Sequence, residues 1–83
     1  MNKYLPCGMD SNRTIAAETM KEAAAKLAMR LARKKYGRCA DVRTCEIDSW
    51  SADGKLAEFC AFIGKTTGNE TVGNNERFTL RLI

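Results

Sequence analysis

Apolar residues recur along this chain at two different periods, and the switch between them outlines the elements. Met20, Ala24, Leu27 and Leu31, flanked by Ala23 and Ala28, return at three- and four-residue steps and form one apolar stripe. The spacing predicts a helix over 20–36. Thr19 followed by Glu22 forms a capping box that starts it, good helix formers fill its turns, and Gly37 supplies the left-handed residue that ends it. Elsewhere the period shortens to that of strands. Phe78, Leu80 and Leu82 alternate with Arg77, Thr79 and Arg81, the pattern of a strand with one wet face. Residues 56–63 are apolar on both phases, as a strand in the middle of a sheet requires, and Asp53-Gly54 joins them to the run from Cys39 to Trp50 as a hairpin. Val42 and Ile47 fall on opposite phases of that run, which places a bulge near Thr44.

Two short strands are expected ahead of the helix, from Lys3 to Cys7 and from Arg13 to Glu18, around a turn at Met9-Asp10-Ser11-Asn12. Pro6 lacks an amide for a central ladder, so the first strand belongs at an edge. Gly64 to Asn75 is rich in glycine, asparagine and threonine without periodicity and reads as a long mobile loop. The expected fold is a single α+β domain spanning 1–83, with one amphipathic helix packed on an antiparallel sheet of four to five strands in the order ββαβββ.

Length limits what such a domain can do. With 83 residues the core is small, and a deep substrate cavity would remove packing the fold needs; surface recognition is expected rather than turnover of a small molecule. No stretch is apolar enough to span a membrane and the first residues contain no apolar signal core, so a cytoplasmic location is expected. Cys7, Cys39, Cys45 and Cys60 show no CxxC spacing and histidine is absent, which argues against zinc, against a disulfide framework and against an activated cysteine nucleophile. Cys39 and Cys45 lie roughly 20 Å apart on one extended strand at about 3.4 Å per residue, too far to bridge each other. Gly64-Lys65-Thr66 lacks the rest of a phosphate-binding loop, and the carboxylates of Asp41, Glu46, Asp48 and Glu58 fit a solvated strand face. No enzyme and no cofactor are expected.

Charge is what distinguishes the chain from an anonymous small domain. Residues 1–38 hold nine Lys and Arg against three Asp and Glu, a net +6, while residues 39–83 hold five against seven, a net −2. Lys26, Arg30 and Arg33 form one stripe beside the apolar face, with Lys34 and Arg38 at the helix end and Met29 and Tyr36 expected on its outer side. Basic residues in the last turn also complement the helix dipole, so a purely solvated face accounts for part of this pattern. A methionine and a tyrosine among arginines is, however, the composition of an interface centre. The partner expected from these seven residues is a protein with an acidic or nucleic-acid-containing surface, or nucleic acid directly. No RNA-recognition strand motif is present, and a single helix cannot form a helix-turn-helix.

The run Arg13-Thr14-Ile15-Ala16-Ala17-Glu18-Thr19 leads into Met20-Lys21-Glu22-Ala23-Ala24-Ala25-Lys26-Leu27-Ala28 as strand, capping threonine and alanine-rich helix. This cadence resembles small phage and mobile-element proteins. With the strands that follow, the layout is similar to anti-CRISPR proteins of type I systems, which set a basic helix over a five-stranded sheet. The resemblance implies a stoichiometric inhibitor in a bacterial host that binds a CRISPR effector complex and blocks nucleic-acid targeting. Because the chain is basic, mimicry of DNA is not the expected mechanism. A basic nucleic-acid-binding accessory protein and a structural or assembly protein remain the alternatives.

Overall fold

The computed structural model describes residues 1–7 and 13–83. The turn expected at Met9 to Asn12 lies outside the described residues. Strand β1 (Asn2–Cys7) and the short β2 (Ile15–Ala17) precede helix α1 (Met20–Tyr36); a single 3₁₀ turn (Gly37–Cys39) leads to β3 (Ala40–Trp50), β4 (Leu56–Thr67) and β5 (Glu70–Leu82). All neighbouring strands are antiparallel, in the spatial order β2-β1-β5-β4-β3, and α1 packs on one face of this curled sheet. The α+β layout of the sequence reading is therefore the fold.

The helix begins where its cap dictates. Thr19 is extended and its hydroxyl accepts the Glu22 amide at 3.1 Å. The Glu22 carboxylate turns toward Lys26, 3.7 Å away, instead of completing a reciprocal box. Gly37 takes φ +69° at the C-terminal end and returns its amide to the Arg33 carbonyl. Ala23, Ala24, Leu27, Ala28 and Ala32 bury their side chains against Ile15, Ala17, Ala57, Phe59, Ala61, Ile63, Phe78 and Leu80. So many alanines let the helix axis lie close to the sheet, and two stacked phenylalanines, Phe59 and Phe78 with ring centres 5.9 Å apart, fill the remaining depth. Leu31 is half-buried at the border of this core, not inside it.

Two strand expectations change. First, β1 is not an edge: β2 covers it from Asn2 to Tyr4 and stops, so Pro6 pairs with Leu80 on one side beyond the end of its other neighbour. The proline therefore costs no ladder bond between β1 and β2. Second, 64–75 is not a loop. Residues Gly64 to Thr67 pair in register with Glu70 to Gly73, closed by a two-residue turn in which Gly68 has φ +62°. The bulge expected near Thr44 is present, at Arg43, and a second register shift lies between Ile47 and Ser49. The Asp53-Gly54 turn is as expected: Gly54 has φ +72°, and the Asp53 carboxylate accepts the Lys55 amide at 3.0 Å.

Candidate functional site

The seven residues expected to bind a partner do not act as one group. Lys26 is committed to the fold, because its ammonium donates to the Ala16 carbonyl of β2 at 2.8 Å and lies near Glu22. Tyr36 is turned inward: its ring packs against the core and its hydroxyl donates to Asn74 Oδ1 on β5 at 2.9 Å. An outward anchor there is thus corrected to a tie between helix end and hairpin. Lys35 makes a parallel tie, 3.2 Å from the same Asn74 oxygen and 3.8 Å from Glu76, with its ammonium 5.7 Å from the Tyr36 ring centre. Met29 is half-buried, with part of its side chain open.

Arg30, Arg33, Lys34 and Arg38 are left exposed, without an ion-pair partner among the described residues. The chain carries no carboxylate between Glu22 and Asp41, so nothing on the helix itself offsets them. Arg33 and Arg38 border a shallow depression at Gly37, where the chain leaves the helix. These four, with the half-buried Met29 beside them, are the expected residues whose charged or apolar groups the described part of the fold leaves open to solvent.

On the opposite face of the sheet two arginines are paired with carboxylates. Arg77 sits 3.0 Å from Asp48 and 3.5 Å from Glu58, and Arg43 donates to Thr71 while lying 3.5 Å from Asp41, which itself accepts the Thr66 hydroxyl. Such exposed pairs contribute little stability each, but they offset Arg43 and Arg77 against neighbouring carboxylates. The acidic strand residues are thus a solvated face, as their alternation suggested.

Further hollows border the fold. A cleft of about 400 Å³ between the first turn of α1 and β3 is lined by Met20, Lys21, Glu46, Ile47 and Phe59. A second, of about 360 Å³, lies under the last turns of α1 beside Leu31, Lys34, Lys35 and Glu76. The widest is open and lies at the end of the sheet, near Cys7, Asp53, Lys55, Arg81 and Ile83. Asp53 is held below the usual carboxylate range by the Ser51 hydroxyl and then by the Lys55 amide, which stabilise its charged form within the turn. Burial, and to a smaller degree the nearby Cys60, push the Cys45 thiol up, with Lys21 opposing. The cysteines are free thiols, and no cluster of three metal-binding side chains occurs among the described residues.

A search against protein-family models, curated proteins and solved structures returned no match. Among the described residues no helix is long and apolar enough to cross a membrane.

Proposed function

We propose that this chain is a non-enzymatic binding protein that presents the C-terminal end of α1 to an acidic or phosphate-bearing surface. One observation carries the reading: Arg30, Arg33, Lys34 and Arg38 gather toward one end of the helix without an ion-pair partner among the described residues, while Lys26, Lys35, Arg43 and Arg77 are each held by the fold. Unpaired cations gathered in one place generate a field that steers an anionic partner and orients the encounter. The half-exposed Met29 adds an apolar contact at the margin.

In the cell we assign this binding to an anti-CRISPR-like inhibitor acting in the cytoplasm of a bacterial host, where the basic end would dock on a CRISPR effector complex and block nucleic-acid targeting. The layout resemblance supports that assignment, as does a small core beside one exposed basic helix end. Direct nucleic-acid binding is the second reading, favoured by the same four cations, whose guanidinium and ammonium groups suit phosphates.

The test is a double charge reversal, Arg30→Glu with Arg33→Glu. Both residues are exposed, so circular dichroism should remain that of the parent. Expressed in bacteria carrying a type I CRISPR system, the parent chain should restore transformation by a targeted plasmid and the variant should not. Failure of the parent to restore it overturns the inhibitor assignment. Salt titration then separates the readings: phosphate contacts by four cations give a log–log slope approaching about −4 with duplex DNA, whereas a protein interface loses affinity less steeply.

A further inference from the structure

We infer that the cleft under the last turns of α1 anchors an acidic segment of a partner protein: one apolar side chain of the segment seats on Leu31 and Ile63, and a neighbouring carboxylate meets Lys34. The inference rests on the reading of the basic helix end as the docking surface and names what that surface recognises.

The cleft follows from how the sheet is built. β1 pairs with β5 only from Leu82 to Thr79, so from Phe78 to Glu70 the described residues give β5 a single strand neighbour, β4. Helix α1 lies chiefly over β3 and β4. Its last turns and the stretch of β5 around Glu76 thus face each other across a hollow of about 360 Å³. The apolar part of the lining comes from Ile63, which belongs to the core, and from Leu31, which only borders it and stays half-buried.

Four charged residues complete the lining: Lys34, Lys35, Glu76 and Arg77. Three of them are already engaged. The Glu76 carboxylate accepts from Asn74 at 2.8 Å and lies 3.8 Å from Lys35, while Arg77 is held by Asp48 at 3.0 Å and Glu58 at 3.5 Å. Lys34 has no ion-pair partner among the described residues, so the uncommitted charge of the cleft is positive. The one carboxylate of the lining does not cancel it, because Lys35 already offsets that carboxylate.

Positive charge continues outward from the cleft in one direction. Arg30 stands four residues before Lys34, which makes the two neighbours on the helix surface, about 6 Å apart along the axis at about 1.5 Å per residue. Both are exposed, and Arg30 too lacks an ion-pair partner among the described residues. A small carboxylic acid in the cleft would meet Lys34 and leave Arg30 unmatched. A polypeptide with an apolar residue between acidic ones matches both cations and fills the cleft, supplying the desolvated centre that charge alone lacks. A phosphate backbone matches the cations but brings nothing apolar to Leu31 and Ile63.

The probe is a capped synthetic peptide with one leucine flanked on each side by two aspartates, titrated into the full chain while nuclear magnetic resonance follows the methyl groups of Leu31 and Ile63. Both should shift saturably. Serine in place of the peptide's leucine should weaken binding by about tenfold or more, the worth of burying a leucine side chain. Asparagines in place of the aspartates should weaken it by a similar factor, and so should Lys34→Glu in the protein, with unchanged circular dichroism because Lys34 is exposed. Three results overturn the inference: no saturable shift up to about 1 mM peptide, equal binding of the serine peptide, or indifference to Lys34→Glu. A short DNA duplex that shifts the same two methyl groups at equal or lower concentration also overturns it, by assigning the cleft to nucleic acid. If any of these accompanies loss of plasmid rescue in the Arg30→Glu, Arg33→Glu protein, the basic helix end stands and the cleft is not its anchor. Saturable shifts with the expected controls in a parent chain that fails to rescue support the cleft and overturn the inhibitor assignment alone.

Discussion

Replacing Gly73 with alanine tests the geometry of the long hairpin. In most strands glycine is the poorer residue, and a change to alanine at a compatible site gains about 0.4–1 kcal/mol by narrowing the unfolded ensemble. Here the sign should invert. Gly73 pairs with Gly64 across the hairpin, and a Cβ on Gly73 would meet the Ile63 carbonyl group, 2.7 Å from its carbon, and the Gly64 Cα at 2.5 Å. A Cβ on Gly64 in turn would lie 2.9 Å from the Gly73 Cα. These obstacles are backbone atoms, which cannot swing aside as the end of a side chain can. Overpacking of this kind costs about 1–3 kcal/mol, and a backbone obstacle belongs at the upper part of that range. A domain of this length has about 4–12 kcal/mol in total at about 0.05–0.15 kcal/mol per residue, so the loss is large.

Two escape routes exist, and both can be read. If the hairpin stays paired, the strain appears in global stability: urea denaturation should show a lower midpoint, and the melting temperature should fall by about 4–8 °C per kcal/mol. If instead the distal hairpin parts, amide exchange in residues 63–67 and 70–74 should accelerate, and the Tyr36 hydroxyl should lose its bond to Asn74. A Gly73→Ala protein as stable as the parent, with those amides equally protected, would refute the close approach of the two strands.

Other expectations are simpler. Thr19→Ala should cost about 1 kcal/mol in denaturant titration, because it removes the acceptor of the Glu22 amide at the helix start. Leu27→Ala should cost about 2–5 kcal/mol, and Leu31→Ala distinctly less, since Leu27 lies inside the core while Leu31 borders it. In native thiol titration the exposed Cys39 should react first, and Cys45, half-buried with its thiol pushed up, should lag. The carboxyl of Asp53 is held low in the folded state, so its contribution to the turn is present above the unfolded pKa and is lost as pH falls through the folded one. Nuclear magnetic resonance titration should place the Asp53 midpoint lower in the native protein than in urea.

The elements legible in the sequence are those that meet the core. Thr19, the alanine stripe and Gly37 mark the helix because each satisfies a local requirement of helical backbone. The Asp53-Gly54 turn and the phase change at Arg43 are legible for the same reason. The distal hairpin was not, although Gly68-Asn69 between Thr67 and Glu70 is itself a hairpin signal. It extends where most side chains on both faces meet water, so no alternation of apolar and polar residues betrays it. Tyr36 misled for another reason: a helical position gives an angle but not the partner, and Asn74 approaches it from 38 residues away. Basic residues look alike in a sequence, and only the carbonyl of Ala16 and the Asn74–Glu76 pair separate Lys26 and Lys35 from the free cations.

That separation determines how much structural worth the remaining cations can have. Arg33 and Lys34 lie in the last turn of α1, where positive charge complements the helix dipole by about 0.3–1 kcal/mol per residue at low salt. If that were their whole role, Arg33→Gln with Lys34→Gln would lower stability by at most about 2 kcal/mol, and added salt would erase the difference. A binding role predicts a different partition. The same neutral substitutions should leave most of the stability in place, yet remove two of the four unpaired cations from the encounter surface, slowing association more than they hasten dissociation. Denaturation at two salt concentrations measures the first effect, and association rates with a type I CRISPR effector complex or with duplex DNA measure the second. Loss of stability with an unchanged association rate would return both residues to the helix and leave Arg30 and Arg38 alone to account for binding.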